Sequence, residues 1–450
     1  MIKSFFLKKI KNNSLKIFLI FFLSLVWSAI GTDFNTFKLI FSNINFEILV
    51  DALRFFFPYF FFFIYLILYK RLNFLTKNKY LNFILLGLLI NFLIQSISLV
   101  VVGSNLNYLH FFFLILFSFI ILIDAYNLNY ENEVLIIAGI FILFYSAVYS
   151  VIAYHSFIFK TPHLNLYGNI QNIESYWEII SDNSPRSSGL SRIALIITVP
   201  LMLIILTANR SAIVIFFLYY FHTNIVLLAQ SRINTSVFYF FLTSILIFAI
   251  FSGKSFKTII KKIILIIIFP ILIHQGTIHV KKEYSKSYSE FRSNFQGELD
   301  ETGAVRIKHP TSPLTSGRLE DWKKIIEKNN NLIFGNGFMG DRFLINQSAS
   351  NILIYNYASG GIISVVIFIF LILRSIFIFA KVLFVYKILP NKNNLLIMST
   401  IFIQSYLILR GVAESTFAIF GIDFLIFFSL YFFSEKYYSK ARLAKKSFTK

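Results

Sequence analysis

The chain repeatedly runs for about 17–23 residues with almost no charge, the length an α-helix needs to cross a bilayer. One such run could be a core helix or an anchor. Many of them in one chain leave a single solution, because backbone polar groups inside hydrocarbon must be satisfied within each helix. Composition points the same way. Of 450 residues, 57% are hydrophobic and 14% charged, whereas a soluble chain carries about 25% charge. The 57 Phe and 24 Tyr suit lipid-facing and interfacial positions. Together these features exclude a cytosolic enzyme, a nucleic-acid binder and a disordered protein. The expected fold is all-α: a polytopic integral membrane bundle of about 12 transmembrane helices, with one large outer loop containing short amphipathic helices.

The expected spans lie near 15–31, 53–69, 80–102, 107–124, 134–154, 192–208, 211–229, 233–251, 260–275, 351–374, 394–410 and 415–433. The stretch 375–389 is also apolar, but Lys381 and Lys387 follow Arg374 and mark it as a cytoplasmic continuation or a surface helix. Leu25 to Ile30 offers no small-residue cleavage site, so the first span reads as an uncleaved helix rather than a signal peptide. Residues 1–275 hold spans one to nine with an outer loop near 155–191. Residues 276–350 form the large outer loop, and 351–450 carry spans ten to twelve and a basic tail.

The formal net charge is +21, and most Lys and Arg flank apolar runs. Basic residues in that position point to membrane surface and anionic lipid-linked groups, not to nucleic acid. Lys3 to Lys16, Lys70 to Lys79, Lys254 to Lys262 and the tail from Lys436 all fall on one side of a twelve-span bundle, placing both termini in the cytoplasm. The 125–133 loop, on the same side, lacks Lys and Arg. The outer segment 276–350 carries 11 Lys and Arg, which long translocated segments tolerate. With no Cys, the chain has no disulfide, thiolate nucleophile or cysteine metal site. His155, His163, His274, His279 and His309 lie outward without metal-ligand spacing, and a solvated or structural role stands beside that of a base.

Arginines at the outward ends of spans carry the sharpest chemical signal. Arg192 opens span six, six residues after Arg186; Arg232 lies between spans seven and eight; Arg410 ends span eleven, four residues before Glu414. Positive-inside logic favours the opposite side for such residues, and a charge near hydrocarbon is costly. A guanidinium grips phosphate oxygens bidentately and cannot lose its proton, so outward arginines suit a lipid-linked diphosphate and the charge that builds as it leaves. The bland alternative is snorkelling, or a structural pair such as Arg410 with Glu414 at i, i+4.

In the large outer loop, Ser316 can cap a helix that begins near Arg318. Leu319, Trp322 and Ile326 share one face, and Lys323, Lys324 and Lys328 lie on others. This is an amphipathic helix suited to a membrane surface, or a plain docking helix. Phe334 to Phe343 follows, with glycines that permit a tight turn near a ligand, from which Asp341 and Arg342 would project. Asp423 is the main ion away from a span end, and a polar bundle partner is expected for it.

These elements together resemble the O-antigen polymerases of the Wzy type, within the superfamily that also holds the O-antigen ligases. The resemblance rests on Ser188-Gly189-Leu190-Ser191-Arg192, on Gln230-Ser231-Arg232, on Ser316-Gly317-Arg318 through Trp322, and on Phe334 to Phe338 with Gly340 to Phe343. It continues through Ser350-Asn351 with Gly360-Gly361, and ends on Arg410 with Glu414. Ligases of the superfamily place a histidine just before the asparagine that opens the span after the large loop; here that position is Ser350.

The resemblance implies transfer of an undecaprenyl-diphosphate-linked glycan onto a lipid-linked repeat unit at the periplasmic face of a bacterial inner membrane. It implies no metal and no cofactor. Other implied partners are membrane lipids, a chain-length regulator and a flippase, with no nucleic acid. Arg192, Arg232, Arg318 and Arg410 would act at the diphosphate, and Glu414 would orient Arg410 or serve as base. Arg186, Trp322, Asp341, Arg342 and Asn351 would bind substrate. A ligase is the near alternative. A flippase or transporter is the distant one, whose mark would be charges buried mid-span and broken helices at the midplane.

Overall fold

The computed structural model describes residues 2–30, 44–69, 75–103, 105–130, 133–136, 139–140, 187–207, 213–228, 232–251, 260–262, 264–284, 318–385 and 394–448. Among these residues every regular element is helical and none is a strand. The helices are α1 (Ile2–Ile30), α2 (Ile44–Tyr69), α3 (Lys79–Val102), α4 (Leu109–Leu128), α5 (Ser187–Thr207), α6 (Ile213–Leu228) and α7 (Arg232–Phe251). They continue with α8 (Phe269–Tyr284), α9 (Arg318–Lys328), α10 (Gly340–Ile345), α11 (Ile352–Ala380), α12 (Leu395–Arg410) and α13 (Ile422–Phe448).

Among the described residues, four stretches are long and apolar enough to cross a membrane: Lys79–Val102, Leu106–Leu128, Ile260–Thr277 and Ile352–Phe384. Shorter apolar helices cover Leu15–Ala29, Ala52–Leu68, Ser191–Thr207, Ile213–Leu227 and Leu395–Arg410. The expected span at 134–154 falls largely outside the described residues. The expected span at 415–433 begins later, because Gly411 to Ser415 form a turn and Thr416–Ala418 a short 3-10 helix before α13 starts at Ile422. The stretch after Arg374 is no separate element: α11 runs through it to Ala380, and a π-turn follows over Lys381–Val385.

α3 shows how sequence places a helix here. Asn78 accepts the N–H groups of Tyr80 and Leu81 at its start, and Gly103 closes its end in the left-handed region. Phe83, Leu86, Ile90, Leu93, Ile97 and Val101 form one exposed apolar stripe, while Leu85, Leu88, Phe92 and Leu99 face the core. Phe92 packs on Phe119 and Phe424, and Phe119 meets Phe428 edge-on at 5.1 Å. Aromatic contacts of this kind bind α3, α4 and α13 into one core.

α11 is not a straight rod. Gly361 has φ 63 and ψ −160, outside the helical region. Two contacts show why a break is needed. The Ile352 N–H donates to Gly411 O at 2.8 Å, and Gln404 donates to Ser375 Oγ at 3.4 Å. On α12 those partners are about 10 Å apart along the axis, whereas an unbroken α11 would put its own partners about 35 Å apart. The chain therefore turns sharply at Gly361, and the piece before it leans back over the end of α12. Residues 362–384 remain as a single run of about the 20 residues a crossing needs. A broken helix is one of the marks of a transporter, and α11 has one.

The far end of the bundle is clamped by an ion pair whose carboxylate, Glu435, is fully buried. Arg374 Nε and Nη2 donate to Glu435 Oε1 and Oε2 at 2.7 and 3.0 Å. Tyr431 donates to Oε1 and Asn78 to Oε2, so both carboxylate oxygens are filled. The guanidinium also lies over Tyr80, Phe377 and Tyr438. This ties α3, α11 and α13 together.

Candidate functional site

At the opposite end, α5, α12 and α13 bring three charged side chains to one point. Asp423 Oδ2 accepts from Arg410 Nη1 at 2.7 Å and from Arg192 Nη1 at 3.3 Å. All three residues are nine-tenths or more buried. Helix ends explain two of them: Arg410 closes α12, where the dipole favours a cation, and Asp423 lies in the first turn of α13, where it favours an anion. Arg192 sits near the start of α5, the unfavourable end for a cation, and its counter-charge is Asp423.

Glu414 does not pair with Arg410. Its partner is Arg318 on α9, whose Nη2 lies 4.0 Å away. Both side chains stay partly exposed. The i, i+4 rule fails because α12 ends at Arg410, and the turn after it carries Glu414 off the helix surface. Counting Arg192, Arg318 and Arg410 against Asp423 and Glu414 leaves one positive charge. Arg232 is the first residue of α7. Two residues on, Asn234 accepts the Tyr406 hydroxyl at 2.7 Å, one turn before Arg410, so α7 begins at this same end. The Arg232 side chain and all of Arg186 lie outside the described residues.

The glycine-rich turn is filled by protein. Asn336 N–H donates to Ala358 O and Gly337 N–H to Ser359 O, each at 2.8 Å, and Ile362 N–H donates to Leu332 O at 2.9 Å. In an unbroken helix Ala358 O would accept from Ile362; the break frees both groups, and residues 332–337 satisfy them. Gly335 and Gly337 have φ +67 and +86, and a Cβ on either would meet backbone of α11 or α3 at 2.5 Å. Phe338 goes deeper still, stacking on Phe92 at 6.2 Å. The turn is thus a wedge between α3 and α11, not a cradle.

Three expected substrate contacts hold this wedge instead. Asp341 does not project but is buried, its Oδ2 accepting from Ala349 N–H at 2.7 Å and its Oδ1 from Arg342 N–H at 2.9 Å. Trp322 Nε1 donates to Ala349 O at 2.6 Å. Asn351 caps α11 through Leu353 and Ile354 N–H, while its amide donates to Val412 O at 2.9 Å. Arg342 is exposed, with Nη1 against Met339 Sδ. Of the predicted amphipathic face, Leu319 and Ile326 are exposed, and the side chain driven inward is Ile325. Ser316 lies outside the described residues.

Burial pushes the Asp341 carboxyl above the ordinary carboxylate range, against the opposing pull of the Ala349 N–H and of Arg342. A carboxyl raised in the folded state binds its proton more tightly there than in the unfolded chain. Its stabilising share is full below the ordinary value and is lost as pH rises through the raised one. The thermal midpoint of the wild-type chain in detergent therefore falls more steeply across that window than the midpoint of an Asp341→Asn variant. Parallel curves would remove this residue from the pH dependence.

The hub of the site, Asp423, stood out in sequence only as an ion out of place. Its partnership with α5 spans 231 residues and leaves no local pattern. No protein-family model matches the chain, and no curated protein matches it.

Proposed function

We propose that the chain is a membrane glycosyltransferase that polymerises a surface polysaccharide from polyprenyl-diphosphate-linked repeat units. In this reading about 12 helices cross a bacterial inner membrane. Both termini are cytoplasmic, and the Arg192–Asp423–Arg410 end faces the periplasm. The single observation that carries the reading is that convergence of two buried arginines on one carboxylate, with Arg318 beside Glu414 at the same turn. Fixed guanidiniums in a low-dielectric setting stabilise negative charge where it develops.

The acceptor hydroxyl oxygen attacks the anomeric carbon of the donor sugar. The bond from that carbon to the diphosphate oxygen breaks, and undecaprenyl diphosphate leaves as an anion held by Arg192, Arg410 and Arg318. The hydroxyl proton passes to a base, for which Glu414 is the partly exposed carboxylate at the site. Ser350, in place of a ligase's histidine, supports polymerase over ligase.

Two observations favour a second reading. A broken α11 and a buried Asp423 are also features of transporters for lipid-linked substrates. Deleting the gene separates them on a gel of surface glycan. Core bearing a single repeat unit, with the ladder lost, is the expected result. Bare core with polymer accumulating on the lipid carrier means a ligase, and bare core with units trapped on the inner face means a flippase.

A further inference from the structure

α13 holds one buried acid in its first turn, Asp423, and another at its middle, Glu435, and the two are built differently. Glu435 meets one arginine bidentately, and its two oxygens accept from Arg374, Tyr431 and Asn78. Every acceptor position used there has a protein donor, which is how a closed structural ion pair looks. Asp423 meets two arginines, yet each reaches it through one terminal nitrogen and both end on the same oxygen. Its other oxygen, Oδ1, is buried without a hydrogen bond, and so is Nε of Arg410. Nearby in the chain, the hydroxyls of Ser191, Ser415 and Thr416 are buried without a partner as well.

A bidentate Arg410–Asp423 pair would leave neither atom idle. Unfilled donors this deeply buried carry a desolvation penalty that a native structure retains only for a reason. Among the described residues, two guanidiniums share the Asp423 carboxylate. We infer that Asp423 is a positioning residue: it holds Arg192 and Arg410 together in the resting state, with Arg410 Nε left open for a phosphate oxygen, and its charge competes with the diphosphate for both.

The idea rests on the diphosphate reading above and deepens it. In the resting state an anion between two buried guanidiniums offsets their mutual repulsion, a role that diphosphate itself takes over once it is bound. With Asp423 present, they are held in place while Arg410 Nε stays open. When diphosphate arrives, its oxygens take the open side of the arginines. When the product must leave, the like charge of Asp423 weakens its hold. A residue in this role limits affinity, which a purely structural residue does not.

The test measures binding of inorganic diphosphate to the purified full-length chain in detergent, by equilibrium binding with labelled diphosphate. Removing a like charge beside an anion site changes affinity by about tenfold or more. Asp423→Asn is therefore expected to bind diphosphate at least about tenfold tighter than wild type, and Arg410→Gln to lose binding. If Asp423→Asn is folded by thermal unfolding and binds equally or more weakly, the competing role is overturned while the diphosphate reading stands.

If wild type and Asp423→Asn both fail to bind, the diphosphate reading falls and this inference falls with it. Should Asp423→Asn not fold, the wild-type chain supplies a second measurement. Diphosphate is expected to change the carboxylate bands of its infrared difference spectrum, as an acid that loses arginine contacts must. A difference spectrum without a carboxylate change overturns the proposal.

Discussion

If the chain is the proposed polymerase, Arg410→Lys is expected to leave a folded protein in the membrane that no longer elongates glycan. In the resting structure Arg410 touches Asp423 through a single nitrogen, at 2.7 Å. A lysine ammonium can replace one point contact, keep the charge and still suit the end of α12. What lysine cannot supply is the planar fork, whose Nε stands open beside that contact. Removing one preorganised donor from a developing anion costs about 10²–10³ in rate, roughly 3–4 kcal/mol of transition-state stabilisation. The measurement pairs the surface glycan ladder with the amount of variant in the membrane fraction. A normal ladder from Arg410→Lys would show that the fork is not used. A vanished protein would show that the cluster is structural.

The second large effect is on folding. Gly337→Ala is expected to remove most of the folded protein from the membrane. Its φ of +86 is strained for any side chain, and its new methyl would sit 2.5 Å from the Leu99 backbone, which cannot move without displacing α3. Strain of about 1–3 kcal/mol adds to overpacking of about 1–3 kcal/mol. A domain has only about 5–15 kcal/mol in total. Gly103→Ala supplies the comparison, since Gly103 also has positive φ, +69, but nothing lies within 4 Å of its missing Cβ. Yield and thermal midpoint of the two variants, read by size-exclusion fluorescence, separate strain from crowding. Equal losses would mean that the wedge between α3 and α11 is not tight.

These two predictions mark how far the sequence could be read. Apolar run length found α3, α4 and α11 because hydrocarbon thickness imposes it, whatever the partners. Arginines at span ends were visible because their positions run against topology. The pairing of those arginines was not. Arg410 has a carboxylate four residues away, and only the end of α12 at Gly411 sends it instead to Asp423. Glycines in 335–340 announced a close approach but not what approaches, and the visitor is the backbone of α11 and α3 rather than a ligand. Asp341, Trp322 and Asn351 sat in a motif-like stretch, and nothing local distinguishes a side chain that binds substrate from one that holds Ala349 or caps α11.

The break in α11 also dictates an order of events during biogenesis. The carbonyls of Ala358 and Ser359 are satisfied by Asn336 and Gly337, which lie on the stretch made just before α11. Bare carbonyls in lipid cost several kcal/mol each. While it threads into the bilayer, this stretch is therefore a continuous helix, with Ile362 N–H still bonded to Ala358 O. The break at Gly361 costs least once α3 is in place and residues 332–337 fold back between them to take up the freed groups. The mature bundle is thus a rearranged product, and the step that finishes it is the same one that swings Ile352 onto the turn after Arg410. A nascent chain stalled before that step would lack the bond from Ile352 to Gly411 that fixes the turn after Arg410.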